Sequence, residues 1–297
     1  MFCKRFLRGP LIFLQIFSYL SELFCTMAVN EPVILDLDQI LDDRFGKGKV
    51  SKPVKNFLKK LVHQDHLNEY LKQGWLGVDF AEKALEYYDA HVTVEGLENI
   101  PTDGRYTFAG NHPLGGIDAL SLIASVGRKF DGNIVIPAND ILMAIKPIAE
   151  FTIPVNKFSG GQSSSLVGQI NDAFNSDRQV IIYPAGVCSR KIDGKVQDLP
   201  WKKTFITKSR MSHRDIIPVW FSGQNSKTFY RLDKLRNTFK LKLNIAMLAL
   251  PDELYKSQHK SYTMVFGKPI PWQTFTSEKK DVEWAAWVRE KTYELQK

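Results

Sequence analysis

Cysteine is scarce in this chain: its 297 residues include three, at positions 3, 25 and 188. Three cysteines at such spacing make neither a disulfide framework nor a zinc-finger type of metal site, and they favour a reducing compartment. The sequence also lacks internal repeats and low-complexity tracts. With 44% hydrophobic and 24% charged residues, it is not a disordered, collagen-like or multi-span membrane protein. We therefore predict a globular protein of one or two domains.

The chain also lacks an uninterrupted apolar run of the ~20 residues that a membrane-spanning helix needs. The candidate run, residues 11–24, follows three basic residues and is broken by polar side chains. No small-residue cleavage site follows it. Three interpretations of residues 1–26 stay open: an interfacial anchor, a weak export signal, or a segment upstream of a translation start at Met27.

Acidic residues are fewer than basic ones, since 32 Asp and Glu stand against 40 Lys and Arg, for a net charge of +8. This mild basic excess fits a nucleic acid, an anionic membrane surface or an acidic carrier. Platforms for nucleic acid interleave aromatic and basic residues, and the sequence has no such array. We therefore expect no nucleic-acid partner.

The hydrophobic pattern changes near residue 90. Residues 27–50 are predicted to be a polar lead-in. Over residues 54–76 apolar side chains recur at helical spacing, and a second helix is predicted over 80–88. We assign residues 27–90 to an N-terminal helical segment and residues 91–297 to one α/β domain.

Within the second part, short apolar runs typical of strands alternate with stretches of helical spacing. The predicted strands are 91–94, 106–109, 134–136, 152–155, 179–183, 216–221 and 264–266. The predicted helices are 119–126, 141–150, 166–175, 201–211 and 227–237. Such alternation predicts an α/β fold in which helices cover a mixed central sheet.

The turn after the second predicted strand contains the candidate catalytic residues. Asn111 and His112 follow the strand, and Asp118 stands where the next helix begins. Because an unperturbed imidazole titrates near neutral pH, His112 can act as a general base, while Asp118 can accept its second N–H and stabilise the imidazolium. The structural alternative is that Asp118 caps the helix and His112 is an ordinary polar loop residue.

The stretch Asn-His-Pro-Leu-Gly-Gly-Ile-Asp at residues 111–118 resembles the first motif of the glycerolipid acyltransferase superfamily. Members of this superfamily acylate glycerol phosphate or lysophospholipids. Their motif, N-H-x4-D, has one residue fewer between His and Asp. Gly115 and Gly116 can absorb the extra residue as a local bulge, because glycine tolerates unusual dihedral angles. This form of the motif is similar to a bacterial, hemolysin-like branch.

Three further blocks follow in the order typical of that family. Residues 151–157 resemble a family strand that carries a basic residue, with Lys157 where Arg is usual. Residues 184–190, Pro-Ala-Gly-Val-Cys-Ser-Arg, resemble its third motif, P-E-G-x-x-S-R. Residues 216–220 are similar to its fourth block, an apolar strand with Pro. Each block is weak alone, whereas four in order at family spacing are specific.

The resemblance implies roles for these residues. His112 and Asp118 are the catalytic pair, and the acceptor hydroxyl itself attacks a thioester, so that no Ser or Cys need be acylated. Backbone N–H groups near Gly186 are expected to stabilise the oxyanion. Lys157 and Arg190 are expected to hold an anionic head group. The implied substrate-binding residues are Asn111, Lys157, Pro184, Gly186, Ser189 and Arg190. No metal or cofactor is implied.

Two departures from the family pattern bear on function. Ala185 replaces the family glutamate, which argues against a glycerol-phosphate acceptor and favours another polar end, such as the carboxylate of a lyso amino-acid lipid. Cys188 is a possible nucleophile, although no histidine lies close to it in sequence. The alternative functions are therefore a cysteine-dependent lipid hydrolase and a non-catalytic membrane-binding protein.

The resemblance also implies a donor and a location. The expected function is O-acylation of a lysolipid in phospholipid or amino-acid-lipid biosynthesis, with a thioester of acyl carrier protein or coenzyme A as co-substrate. Membrane lipids are the expected partners, and we expect a peripheral protein on the cytoplasmic face of the inner membrane. The basic stretch 52–76 either lies in the membrane interface or packs its apolar face on the α/β domain.

Overall fold

The computed structural model describes residues 34–138, 146–154, 164–239 and 249–296. Helices in these ranges are α1 Leu37–Phe45, α2 Lys52–Leu61, α3 Gln64–Leu71, α4 Gly77–Tyr87, α5 Ile117–Lys129, α6 Ser164–Asn175, α7 Thr204–Met211, α8 Lys227–Thr238, α9 Leu250–Tyr255 and α10 Asp281–Tyr293. Strands are β1 His91–Glu95, β2 Tyr106–Gly110, β3 Ile134–Ala138, β4 Thr152–Pro154, β5 Gln179–Ile182, β6 Arg190–Ile192, β7 Lys195–Gln197, β8 Asp215–Phe221 and β9 Ser261–Phe266.

Seven strands form one mixed sheet in the order β1-β9-β8-β2-β5-β3-β4. Neighbouring strands run parallel, except that β9 is antiparallel to β8. Strands β6 and β7 form a separate antiparallel hairpin. The predicted α/β fold with a mixed central sheet covered by helices is confirmed, and each predicted strand overlaps an observed one.

The two faces of the central strands pack on different helices. On one face Phe108 and Ile217 are fully buried in a cluster with residues of α4 and α5. On the other face Ala109 and Ile216 are buried in a cluster with residues of α7 and α10. Each large apolar side chain buried in this way contributes roughly 1.5–3 kcal/mol. The packing holds β2 rigidly between two helical layers.

Strand β2 lies in the middle of the sheet, with β8 on one side and β5 on the other. Phe108 is in register with Ile217 of β8 and with Ile181 of β5. Because the three strands are parallel, their carboxyl ends meet at one edge, where α/β proteins place ligands and catalytic groups. Residues that follow β2, β5 and β8 in sequence therefore come together there.

The N-terminal region differs from its prediction in two places. The expected polar lead-in over residues 27–50 is wrong for α1, where Asp36 caps the helix and Leu41 is fully buried beside Leu58 of α2. The single helix expected over 54–76 is two helices, because His63 adopts a left-handed backbone with φ +49° between them. The proposed boundary at residue 90 stays a prediction.

The sequence reading also missed helix α10 and the hairpin of β6 and β7. Trp284 and Val288 of α10 are buried against the sheet. None of the helices in the described ranges is long and apolar enough to cross a bilayer. Residues 1–26, with their three interpretations, lie outside the described residues, as does the first half of the helix predicted over 141–150. The second half of that prediction falls on a 3-10 helix, Lys146–Phe151.

Candidate active site

His112 is the second residue after the end of β2, at the carboxyl edge of the sheet. The side chain of Asn111, just before it, donates to the Phe221 carbonyl at 2.9 Å and accepts from the Phe221 N–H at 2.7 Å. This pair of bonds ties the end of β2 to the end of β8. In the structure Asn111 is thus buried and bonded to the backbone, and its expected contact with substrate stays a prediction.

Asp118 contacts His112 despite the extra residue between them. The Nδ1 atom of His112 lies 2.9 Å from Oδ2 of Asp118, which also accepts the Leu114 N–H at 3.0 Å. Gly115 makes the bulge possible, since its φ is +86° and a Cβ there would lie 2.5 Å from the sulfur of Cys188. The geometry brings the two predicted catalytic side chains together; their catalytic roles stay predictions.

The two groups shift each other's pKa in opposite directions. Burial by itself lowers the pKa of His112, but the Asp118 carboxylate and the neighbouring Cys188 outweigh it, so the pKa lies well above the usual imidazole value. Burial raises the pKa of Asp118, and His112 together with the Leu114 and Gly115 N–H groups outweighs it, so that pKa is lowered. The pair therefore favours a charged imidazolium beside a carboxylate.

Tyr183, directly after β5, stacks on the imidazole of His112, with ring centroids 4.0 Å apart and an interplanar angle of 21°. Its hydroxyl is buried and has no hydrogen-bond partner among the described residues. Burial, with Asp118 and Cys188 nearby, raises the pKa of Tyr183 well above its usual value. The ring packs on one face of His112 and restricts its orientation, while the hydroxyl is neutral and buried.

Cys188 lies beside His112, and its side chain contributes to the raised pKa of the imidazole. The thiol is reduced and buried. From the sequence, Cys188 was a weak candidate nucleophile because no histidine is near it in the chain. In the fold, the loop that follows β5 brings Cys188 to His112, which follows β2.

Asp198 joins the two loops that meet at the site. One carboxylate oxygen accepts the Ser189 hydroxyl at 2.6 Å and the backbone N–H of His112 at 3.2 Å. The other accepts the indole N–H of Trp201 at 2.9 Å. Burial raises the pKa of Asp198 against these hydrogen bonds. Neither Asp198 nor Tyr183 was predicted, and no motif in the sequence marks Asp198.

The other predicted residues of the third block support the backbone. The Gly186 N–H donates to the Tyr183 carbonyl at 2.9 Å, closing a turn, and the Pro184 carbonyl accepts the Lys202 N–H at 3.1 Å. The Ser189 N–H donates to the His112 carbonyl at 2.7 Å. These bonds hold the loop against His112, and the expected substrate contacts of these residues stay predictions.

Arg190 is 6% exposed and turns inward. Its Nε lies 2.9 Å from Oδ1 of Asp233, and one terminal nitrogen donates to the Cys188 carbonyl at 2.6 Å. A substrate anion would therefore compete with Asp233 for this guanidinium. Lys157, the other predicted anion-binding residue, lies outside the described residues. Within the described ranges no three His, Cys, Asp or Glu side chains are grouped as a metal site requires.

The sequence model of the family described as Acyltransferase matches residues 50–297 of this chain. The chain belongs to this acyltransferase family. The match spans all the strands of the sheet and the whole candidate site, including His112 and Asp118. The protein is thus an acyltransferase, and the resemblance inferred from the four sequence blocks is confirmed.

Two curated relatives are similar over most of their length, and both are named lyso-glycine lipid O-acyltransferase. The protein from Bacteroides thetaiotaomicron is 45% identical over 266 residues, which cover 88% of this chain and 97% of the relative. The protein from Phocaeicola vulgatus is 43% identical over 275 residues, which cover 91% and 98%. A crystal structure of the 1-acyl-sn-glycerophosphate (LPA) acyltransferase PlsC from Thermotoga maritima aligns over 98% of this chain and 96% of its own, at 17% identity and a TM-score of 0.46.

Proposed function

We propose that this acyltransferase moves a fatty acyl group from a thioester to the hydroxyl of a lyso-glycine lipid. The contact that carries the proposal is the 2.9 Å pair of His112 and Asp118 at the carboxyl edge of the sheet. The names of the two curated relatives support the acceptor class. The product is an O-acylated amino-acid lipid.

In the proposed reaction His112 is the general base. Asp118 holds Nδ1, so the opposite ring nitrogen, Nε2, takes the proton of the acceptor hydroxyl as its oxygen attacks the thioester carbonyl. The oxyanion then collapses, the carbon–sulfur bond breaks, and the leaving thiolate takes the proton back from the imidazolium. A C–O bond replaces a C–S bond, and no metal or cofactor enters the balance.

Backbone N–H groups of the loop after β5 are proposed to stabilise the oxyanion. The Gly186 N–H is already bonded to the Tyr183 carbonyl. The next two N–H groups, of Val187 and Cys188, donate to no acceptor among the described residues. Because the Cys188 side chain lies beside the imidazole, these two N–H groups are near the place where the substrate would react. We propose that they bind the carbonyl oxygen of the thioester while it is attacked.

Ala185 supports an acceptor other than glycerol phosphate. It stands where the family has glutamate, and it is buried in an apolar cluster beside Trp201 and Phe205. Without that carboxylate, the site lacks one acceptor of hydrogen bonds from a polyol head group. The buried hydroxyl of Tyr183 is instead a donor for an anionic or amide oxygen of the lipid head.

The donor and the location belong to the same proposal. The acyl thioester is carried by acyl carrier protein or coenzyme A, both of which are anionic and cytosolic. Lysolipid and product stay in the bilayer, so the protein works as a peripheral enzyme on the cytoplasmic face of the inner membrane.

The acceptor is tested with purified protein, an acyl thioester and a panel of lysolipids. We expect ester formation on lyso-glycine lipid, little on lysophosphatidate, and none with either in His112→Ala. Equal rates on both acceptors would contradict the acceptor assignment, whereas full activity of His112→Ala would contradict the mechanism. Lipid analysis of a strain that lacks the protein should show a lyso amino-acid lipid accumulating while its acylated form disappears.

The position of Cys188 favours a second candidate, in which the thiol is the nucleophile. His112 would activate it, and the acyl group would pass from the donor to the sulfur before water or an alcohol takes it. A thioester trapped on the protein and an inactive Cys188→Ser variant would establish this route. Retained transfer in Cys188→Ser would leave direct attack by the acceptor.

A further inference from the structure

The outward face of α8 carries an unneutralised positive charge. Lys227, Arg231 and Lys234 follow one another at helical spacing and are exposed. None of the three has a carboxylate within 4.0 Å among the described residues. The acidic residue of the helix, Asp233, is buried on the opposite side. The exposed side chains of α8 thus include these three cations and no carboxylate.

Two large apolar side chains stand beside these cations. Leu235 is 45% exposed and Phe239, at the C-cap of α8, is 66% exposed. They are four residues apart, so they share one face of the helix next to the basic stripe. A helix with a basic stripe and an adjacent apolar edge is the arrangement that binds in the interface of an anionic bilayer.

The inward face of α8 contacts residues 188–190, which follow β5 and lie next to His112. Asp233 pairs with Arg190 at 2.9 Å, and the guanidinium lies over the ring of Phe229 at 5.4 Å from its centroid. Phe229 is buried in a cluster with Cys188, whose thiol contacts His112. Buried contacts thus connect the helix that carries the cationic face to the residues around His112.

The other basic helix, α2, is arranged differently. Lys55 pairs with Asp42 at 2.6 Å and Lys59 with Asp38, both from α1. Leu58 of α2 is fully buried against α1, whereas Phe57 on the same helix is 53% exposed. The helices α1 and α2 thus neutralise part of their own charge by ion pairs with each other.

We propose that the outward face of α8 docks the enzyme on an anionic membrane, with its cations at the lipid head groups and Leu235 and Phe239 in the interface. The proposal rests on the proposed function, because a lipid acceptor is what requires the active site to sit at a bilayer. An acidic carrier protein would also be attracted by the cations, but the exposed apolar pair beside them favours lipid.

The test measures sedimentation of the purified full chain with phosphatidylcholine vesicles, with and without phosphatidylglycerol and without any carrier protein. We expect wild type to bind the anionic vesicles and to be released by salt. A Lys227→Glu, Arg231→Glu, Lys234→Glu variant should bind at least about 100-fold more weakly, since each basic residue near an anionic surface favours binding by about fivefold. Phe239→Ser should weaken the binding that persists at high salt.

The matched control reverses three exposed lysines of the N-terminal helices, as Lys52→Glu, Lys60→Glu, Lys72→Glu, and should bind as wild type does. Thermal unfolding of each variant checks that it is folded. Unchanged binding of the folded α8 variant overturns the proposal, as does loss of binding in the control. The proposal is also overturned if wild type does not bind vesicles and the α8 variant has a raised KM for acyl carrier protein, since the face would then bind the carrier. Vesicle binding without acyl transfer would overturn the proposed function alone.

Discussion

Two regions of the molecule contain a histidine bonded to an aspartate under a stacked tyrosine. At the sheet edge, His112 lies 2.9 Å from Asp118, with Tyr183 stacked at 4.0 Å. In the N-terminal helical region, His63 lies 2.9 Å from Asp252, with Tyr255 stacked at 3.8 Å. By distance alone the two arrangements are equivalent.

Burial and connectivity separate them. The side chain of Asp118 is 1% exposed, whereas that of Asp252 is 22% exposed and also pairs with Lys256. His112 contacts its aspartate through Nδ1 and follows a buried strand, whereas His63 uses Nε2 and precedes a surface helix. A buried pair resists screening by water, so its charges change each other's pKa strongly. A histidine–aspartate distance therefore does not identify a site without its surroundings.

The largest expected difference is between His112→Ala and His63→Ala. Loss of a general base lowers kcat on the order of 10²- to 10⁴-fold, while His63→Ala should stay within about twofold of wild type. Steady-state acyl transfer by both purified variants measures this. A similar loss in the two variants would mean that the surface pair also serves the reaction.

The pH profile distinguishes the aspartates. A raised pKa of His112 means that the base is protonated, and inactive, at pH values below that pKa, so kcat/KM should rise with pH through a value above 6.5. Asp118→Asn removes the charge that holds this pKa up, so the acidic limb should move to lower pH. The plateau should fall by on the order of 10²-fold or more, because the imidazolium loses its partner.

Asp252→Asn is the control for this profile. It should leave both the limb and the plateau in place. An acidic limb that does not move in Asp118→Asn would show that another group sets the pH dependence.

The chain bulge at Gly115, which brings Asp118 to His112, has no counterpart at His63. The variant Gly115→Ala tests whether this bulge needs glycine. The added Cβ would sit 2.5 Å from the Cys188 sulfur at a φ of +86°. We expect a loss of stability of about 1–3 kcal/mol together with reduced activity. Gly194→Ala is the matched control, since its φ is +83° and nothing lies within 4 Å of the new Cβ. Equal unfolding free energies for the two variants would contradict a tight bulge.

The smallest effect is expected for the tyrosines. Tyr183→Phe removes a hydroxyl without a partner in the described residues, so its stability should match or exceed that of wild type. KM for the acceptor should rise by about tenfold if this hydroxyl binds the lipid head. Tyr255→Phe should change neither quantity. An unchanged KM in Tyr183→Phe would restrict Tyr183 to orienting the imidazole.

Local patterns in the sequence indicated the strands because period and burial go together: β2 is buried at every position, and its apolar run is visible without coordinates. These patterns did not predict α1, because most of its residues are polar and only one side of the helix is buried. They did not predict α10 either, because its apolar residues are interspersed with charged ones. In the site, the motif indicated His112 and Asp118 because a strand-to-helix turn brings together residues that are close in sequence.

The amino-acid sequence by itself determined the fold class, the family and the contact of His112 with Asp118, since these depend on periodicity and on motifs with short spacing. Tertiary structure alone decided what surrounds the imidazole. It stacked Tyr183 on His112, set the Cys188 thiol beside it, placed Asp198 across the two loops and turned Arg190 toward Asp233. These contacts join β2 to loops far along the chain, and their existence depends on strand order, which no local pattern encodes.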